Sequence, residues 1–122
     1  MAGTVTVTEE TLGSLIKITW AWTTDASGDA DECTTGVYTG KVIALVTDPG
    51  STAPTDNWDL VINDDQSVDV LAGAGANRDT ADTEQVTDEA SLGIVVRSTL
   101  DAVISNGGNA KEGTVYLYLR RA

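Results

Sequence analysis

Two groups of polar, mostly acidic residues are the parts of this sequence whose types and spacing could hold a metal ion. Calcium takes six to eight oxygen ligands, usually several carboxylates together with a backbone carbonyl. Neither group has the D-x-[DN]-x-[DN]-G spacing of an EF-hand loop, so we interpret both as solvated turns and expect no metal site. The groups are Asp25, Asp29, Asp31 and Glu32, and Asn63, Asp64, Asp65 and Asp69.

Catalysis is the second kind of chemistry that these side chains could perform. Paired carboxylates can hydrolyse glycosides, but such enzymes need a substrate cleft, and a chain of 122 residues has little volume for one. The chain has no histidine, the usual general base at neutral pH. Its one cysteine, Cys33, follows Glu32, whose negative charge makes the thiol a poorer nucleophile. The sequence therefore predicts a protein that is not an enzyme and that carries no cofactor.

Composition and charge argue against several further classes of protein. Nineteen acidic residues against seven basic ones give a net charge of −12, which argues against a nucleic acid partner because phosphate affinity comes from clustered Lys and Arg. No apolar run approaches the ~20 residues of a membrane span, and the first residues lack the pattern of a secretory signal. We expect residues 1–122 to form a single domain.

The elements that position these side chains are predicted to be strands. Thr and Val are abundant and suit a pleated surface, and apolar residues alternate between turn signals rich in Gly and Asp. The pattern predicts an all-β domain, an antiparallel β-sandwich or small barrel of about six to eight strands with long Gly/Asp-rich loops. The predicted strands cover residues 4–9, 14–24, 37–47, 58–63, 68–71, 92–97, 99–105 (the last two as one bent strand or two) and 114–120.

Four local features complete the structural prediction. Residues 58–63 and 68–71 read as a hairpin, residues 25–35 read as a polar loop, and Asp48-Pro49-Gly50 is a turn signal. Residues 72–91 are irregular and could hold one short helix capped by Asp79. The apolar run in residues 37–47 predicts a central strand that is covered on both faces. The residues predicted on one face are Tyr38, Val42, Ala44 and Val46, and those on the other are Val37, Ile43 and Leu45.

Aromatic residues and the N-terminal strand are the candidate contacts. Trp20, Trp22 and Trp58 are expected in the core, whereas Tyr116 and Tyr118 lie opposite Leu117 and Leu119, on a face suited to an interface. Residues 1–10 form either an edge strand of the domain's own sheet or a docking arm that adds to another chain's sheet. The candidate interface residues are Thr4, Val5, Thr6, Val7, Thr8, Tyr116 and Tyr118, with residues 72–91 as a further contact region.

These segments together resemble a family of small accessory structural proteins of tailed bacteriophage virions, of the head decoration or cement kind. The resemblance lies in residues 18–29, 38–42, 47–59, 69–71, 77–79 and 106–119, and so spans most of the chain. Its motifs are turns and strand residues, and none is catalytic.

The resemblance implies a non-enzymatic protein on the outer surface of a phage head. Its partners would be the major capsid protein and copies of itself, with trimers the natural expectation, and it would involve no nucleic acid or membrane. Two alternatives stay open: a neck, tail or head-spike subunit of the same kind of virion, and a small carbohydrate- or calcium-dependent binding module.

Overall fold

The chain folds into two antiparallel sheets, and the described residues contain no helix. The computed structural model describes residues 3–87 and 92–121. The predicted all-β class is confirmed; the sheets are open and do not close into a barrel. The strands are β1 (Thr4–Leu12), β2 (Leu15–Thr23), β3 (Ala30–Cys33), β4 (Tyr38–Pro49), β5 (Asp59–Asn63), β6 (Glu84–Thr87), β7 (Ile94–Ser98), β8 (Asp101–Ser105) and β9 (Glu112–Arg120).

The larger sheet contains six strands and the smaller one three. In the large sheet the order is β1-β2-β9-β4, and β6 and β7 pair with successive stretches of the remaining edge of β4. The small sheet has the order β3-β8-β5. All these pairings are antiparallel, and the three long strands β1, β2 and β9 are paired over nine residues each.

The core lies between the two sheets, because alternate residues of both point into one apolar cluster. The large sheet contributes residues such as Ile18, Trp20 and Leu117, and the small sheet contributes Leu60 and Ile104. All five are at most 1% exposed, so the alternation predicted for these strands is present. We call the opposite side of the large sheet, which points away from the small sheet, the outer face.

The prediction for residues 37–47 was wrong about which side chains share a face. A register shift between Val42 and Ala44 leaves Ile43 as an extra residue in β4. Val42 and Leu45 therefore both enter the core, whereas Ala44 and Val46 fall on the outer face and are half-buried. A β-bulge reverses the alternation of every residue beyond it, and nothing in the apolar run marks its position.

The predictions for two polar segments also differ from the structure. The segment 25–35 was predicted as a loop but contains β3, in which only Ala30 is buried, so it has no apolar alternation to reveal it.

Residues 68–71 were predicted to form a return strand against β5, and they do so only in part. An isolated bridge pairs Asn63 with Asp69, and the Val70 N–H donates to the Ile62 carbonyl at 2.8 Å. The Asp69 carboxylate accepts further hydrogen bonds from the backbone N–H groups of Ile62 at 3.2 Å and Leu71 at 3.0 Å. The full-length partner of β5 is β8.

In residues 72–87 the structure has turns and a strand, not the predicted helix. Asp79 accepts hydrogen bonds from the N–H groups of Ala81 and Asp82, as a cap would, but the chain then extends into β6. Residues 88–91 of this region lie outside the described residues. The strands predicted at 92–97 and 99–105 are separate: β7 joins the large sheet and β8 the small one.

The turn signals are correct in one place and displaced in another. Asn106 and Gly108 both adopt positive φ, as the tight turn before β9 requires. Asp48-Pro49-Gly50 is not yet a turn, because β4 runs through Pro49 and the Gly50 N–H still donates to the Glu112 carbonyl at 2.9 Å.

Candidate interaction surfaces

The acidic loops use their carboxylates to hold turns. Asp25 accepts hydrogen bonds from the N–H groups of Asp29 at 3.0 Å and Ser27 at 2.8 Å. Asp64 does the same for two N–H groups of its own turn. The bond from Asp29 is the main cause that lowers the pKa of the Asp25 carboxyl. Within residues 3–87 and 92–121, no three acidic or cysteine side chains converge as metal ligands.

The three tryptophans belong to the core, as predicted. Trp20 and Trp58 are fully buried, and Trp22 is 2% exposed. The indole N–H of Trp20 donates to the Glu32 carbonyl at 3.1 Å and that of Trp58 to the Asp79 carbonyl at 3.0 Å. The indole nitrogen of Trp22 is buried and has no hydrogen-bond partner among the residues that the structure describes. Buried at this depth, none of the three rings is a platform on which a sugar could stack.

The outward side of the small sheet is acidic. Cys33 on β3 pairs with Asp101 on β8, and Asp31 and Asp59 project from the same side. Burial first, and then the charges of Asp31 and Glu32, raise the pKa of the Asp101 carboxyl. Its Oδ1 atom is buried, and within residues 3–87 and 92–121 it has no hydrogen-bond partner.

Cys33 is exposed, but its surroundings disfavour the reactive thiolate form. Burial first, and then the negative charges of Asp101, Glu32 and Asp31, raise the pKa of this thiol. The thiolate is the nucleophile, so a raised pKa reduces its reactivity, as the sequence predicted.

The outer face of the large sheet is the broadest surface that the fold presents. Its side chains are exposed or half-buried, and they are mainly Thr, Tyr and small apolar residues. From one end of the strands to the other, the rows are Thr4, Thr23 and Glu112; Thr6, Ala21, Thr114 and Asp48; Thr8, Thr19, Tyr116, Val46 and Gln85; Glu10, Lys17, Tyr118, Ala44 and Thr87; and Leu12, Leu15, Arg120, Lys41 and Ile94.

Tyr116 and Tyr118 lie near the middle of this face. Both are half-buried, and the Lys17 ammonium group sits 5.1 Å from the centre of the Tyr116 ring. A cation over an aromatic face is attracted by the ring quadrupole, which holds the two side chains together. Tyr side chains bring large contact area at a low entropy cost, so this is a surface suited to protein contact.

The structure divides the candidate residues of the N-terminal strand into two sets. Thr4, Thr6 and Thr8 are exposed on the outer face, two strands away from Tyr116 and Tyr118. Val5 and Val7 point the other way and pack against the core. β1 is paired with β2 along its whole length, so it is an edge strand of this domain rather than a detached arm.

Glu9 fastens β1 to the loop that precedes β4. Its carboxylate accepts hydrogen bonds from the Gly36 N–H at 3.0 Å, from the Thr35 hydroxyl at 2.9 Å and from the Tyr38 hydroxyl. Burial raises the pKa of Glu9, but these hydrogen bonds together outweigh it and hold the pKa below its ordinary value. Burial first, and then the hydrogen bond to Glu9 and its negative charge, raise the pKa of Tyr38.

One end of the outer face carries a groove of about 350 Å³ that is open to solvent. Threonine side chains of β1, β2 and β9 line it together with Glu112, Gly50 and Trp22. A second groove of similar volume lies near Tyr38 and Arg121. Arg120 lies on the same face as Tyr116 and Tyr118, as the alternation of β9 predicts. The sequence-based prediction did not include Glu112 on this face, nor Lys17 of the neighbouring strand β2, although both residues alternate with core positions.

In comparisons with protein-family models, curated proteins and solved structures, no match was found for this chain. No helix long and apolar enough to cross a lipid bilayer was found among the described residues.

Proposed function

We propose that this protein is a non-enzymatic structural component of a tailed-phage virion, a decoration protein that binds the outer surface of the capsid. The observation that carries the proposal is the outer face, a continuous surface of the large sheet on which Thr is the commonest residue of β1, β2 and β9 and Tyr116 and Tyr118 lie near the middle. Such a surface offers area for adhesion to another protein. The sequence resemblance described above supplies the virion setting.

The distribution of charge supports an adhesive role for this face in particular. Asp31, Asp59 and Asp101 lie on the outward side of the small sheet, at the opposite side of the sandwich. When the outer face is docked, these acids point to solvent. The net charge of −12 would then keep the free protein soluble and away from DNA before assembly.

Because many copies of the protein would bind one capsid, a modest contact area per copy would be sufficient for attachment. A capsid repeats the same surface at symmetry-related positions, so contacts between neighbouring copies and the shell add through effective concentration. A compact sandwich of two sheets fits this role, because a rigid surface loses little entropy on docking.

The location and copy number in purified virions test the proposal. Quantitative mass spectrometry of particles that carry this protein should give hundreds of copies, whereas roughly a dozen or fewer would favour the neck, tail or spike alternative. Absence from the particle would refute a virion role altogether.

A pair of surface variants tests the face itself. Ala21→Arg places a long charged side chain at an exposed position of the outer face, and Gln66→Arg adds the same charge to an exposed turn elsewhere. We expect Ala21→Arg to reduce attachment to capsids that lack the protein and Gln66→Arg to leave it unchanged. Deleting residues 1–8 is a poorer test, because Val5 and Val7 contribute to the core.

A further inference from the structure

The outer face has opposite charges at its two ends, placed symmetrically about one residue. Glu112 and Arg120 are the first and last residues of β9, four residues before and after Tyr116. All three are on the outer face, and the two charged residues are about 27 Å apart at the usual rise of an antiparallel strand. Arg120 has no carboxylate partner among the described residues, and Glu112 receives only a long 3.4 Å hydrogen bond from Ser51.

This arrangement makes the face complementary to itself. A second copy turned by 180° about an axis that crosses the strands at Tyr116 places β9 on β9, with the strands running in opposite directions. Arg120 of each copy then faces Glu112 of the other, and the two Tyr116 rings meet at the axis. We infer that the outer face binds a second copy of this chain in a two-fold symmetric dimer. The inference rests on the proposed role of this face in adhesion: the dimer is the form of the free protein, and the capsid surface takes the place of the second copy when the protein docks.

The remaining charges of the face fit the same rotation. On β2 the rotation places Lys17 opposite Ala21, because both are two residues from Thr19, the neighbour of Tyr116. On β1 it places Glu10 opposite Thr6, and on β4 it places Asp48 opposite Ala44. No two like charges meet, which matters because like charges in contact across an interface cost several kcal/mol.

The groove at the Glu112 end gives the facing arginine a place to enter. Thr4, Thr6, Thr23 and Thr114 contribute hydroxyl groups to it beside the Glu112 carboxylate. A guanidinium group has five N–H donors and no acceptor, so a carboxylate with several hydroxyl oxygens around it matches its needs. The rotation brings Arg120 of the second copy over this groove.

The size of the face is sufficient for a stable dimer. Strands β1, β2 and β9 have nine residues each, β4 has twelve and β6 has four. At about 3.4 Å per residue and about 4.8 Å between strands, they cover about 700 Å² per copy. The dimer would bury about 1,400 Å² in total, within the range of specific protein interfaces. Sheets that pack face to face are about 10 Å apart, a spacing that Tyr116 and Tyr118 can fill.

The net charge of −12 opposes association at long range, and salt should weaken that opposition. Asp31, Asp59 and Asp101 lie on the far sheet, so their repulsion across the dimer acts over more than the ~8 Å Debye length at physiological ionic strength. We therefore expect the dimer to be tighter at 0.15 M salt than at 0.01 M, the reverse of an interface held only by ion pairs.

Sedimentation equilibrium of the whole chain tests the inference. Between about 1 µM and 1 mM protein, the mass should rise to twice that of the monomer and no further. A monomer throughout this range would overturn the inference, and so would the trimer that the sequence resemblance implies.

Charge reversal locates the interface. Glu112→Arg and Arg120→Glu should each weaken the dimer at least about tenfold, because each substitution acts twice in a two-fold interface. The double variant, with both charges exchanged, should restore most of the affinity. Asp31→Arg changes the net charge as Glu112→Arg does but on the far sheet, and it should not weaken the dimer. A Glu112→Arg variant that dimerises as well as the unmodified chain, or a double variant that is not restored, would overturn the inference.

The two proposals fail separately. A chain that stays monomeric in solution yet occupies hundreds of capsid positions would refute the dimer and keep the decoration role. A chain that dimerises as described but is absent from virions would keep the dimer and refute the role.

Discussion

The indole rings of Trp22 and Trp58 lie 5.0 Å apart between centroids at an interplanar angle of 55°. Trp22 belongs to β2 of the large sheet, and Trp58 immediately precedes β5 of the small sheet. The contact therefore joins the two layers of the sandwich at its largest buried side chains. Tilted aromatic pairs at this distance add stability beyond the area that they bury.

Replacing Trp58 should destabilise the whole domain. We expect Trp58→Ala to lower the free energy of unfolding by about 3–5 kcal/mol, because it leaves a cavity and removes the hydrogen bond to the Asp79 carbonyl. Trp58→Phe should cost less. Val68→Ala, at a position 56% exposed, is the control and should change stability by less than about 0.5 kcal/mol. Urea unfolding measures all three, and equal effects at both positions would contradict the two-layer core.

Neutralising Asp101 should stabilise the protein at pH 7. Burial, with Asp31 and Glu32 nearby, raises the folded-state pKa of Asp101, so its contribution to stability is greatest below the unfolded pKa and is lost as the pH rises through the folded value. Asp101→Asn removes the charge and should add up to about 1 kcal/mol at pH 7.

The gain from Asp101→Asn should vanish as the pH falls below the unfolded carboxyl pKa. Asp56→Asn, at an exposed loop position, controls for the lowered net charge. Thermal unfolding at several pH values makes the comparison. Equal gains from both variants at pH 7 would mean that only the net charge matters.

Glu9 and Tyr38 should be energetically coupled. The hydrogen bond between their side chains ties β1 to the start of β4, so Glu9→Gln and Tyr38→Phe should each cost about 1 kcal/mol, with less than additive loss in the double variant. The lowered pKa of Glu9 means that its contribution is complete above the ordinary value of 4.5 and is lost as the pH falls through the folded value.

A double-mutant cycle at pH 7 and at pH 3 tests the coupling between Glu9 and Tyr38. The coupling energy should be smaller at the lower pH, because it falls as the pH decreases through the lowered folded-state pKa of Glu9. Strict additivity at pH 7 would show that the contact contributes nothing to stability.

Cys33 should react slowly with thiol reagents despite its exposure. Burial first, and then the charges of Asp101, Glu32 and Asp31, raise the pKa of the thiol, so less thiolate is present at pH 8 than in a free cysteine. Asp101→Asn removes one of these charges and should speed alkylation by iodoacetamide a few-fold. An unchanged alkylation rate in the Asp101→Asn variant would show that Asp101 does not influence the Cys33 thiol, although the two residues are paired across β3 and β8.

Calcium should not stabilise this protein. The carboxylates of Asp25 and Asp64 each accept two backbone hydrogen bonds within their own turns. A ligand that binds only the folded state must raise the melting temperature, so millimolar calcium and excess EDTA should give the same melting curve. A calcium-dependent increase would revive the binding-module alternative.

Strands β4 and β9 show where residue alternation predicts side-chain directions correctly and where it does not. In β9 the alternation of Val115, Leu117 and Leu119 with Tyr116 and Tyr118 predicts every side-chain direction correctly. In β4 the same reasoning fails after Val42, because one bulged residue reverses the alternation. Periodicity works where a strand is regular, and a bulge is set by the pairing partner rather than by the local residues.

For the candidate interface, too, the sequence predicted side-chain directions within a strand but not which strands are neighbours. The sequence placed Tyr116 and Tyr118 on a face away from the core, and it singled out the residues of β1. It did not show that Thr4, Thr6 and Thr8 share that face with the tyrosines while Val5 and Val7 do not. That depends on β2 lying between β1 and β9 and on the register of both pairings.

The sequence alone determined the all-β class, the burial of the three tryptophans and the inward side of the regular strands, because these follow from composition and from the two-residue period of a strand. Tertiary pairing was needed to show that the polar segment β3 is a strand, that β5 pairs with β8, and that Lys17 on β2 lies beside Tyr116 and Tyr118 of β9. Strand pairing joins residues far apart in the chain, and its hydrogen bonds use backbone groups that every residue has. Local sequence therefore carries little information about which strands become neighbours.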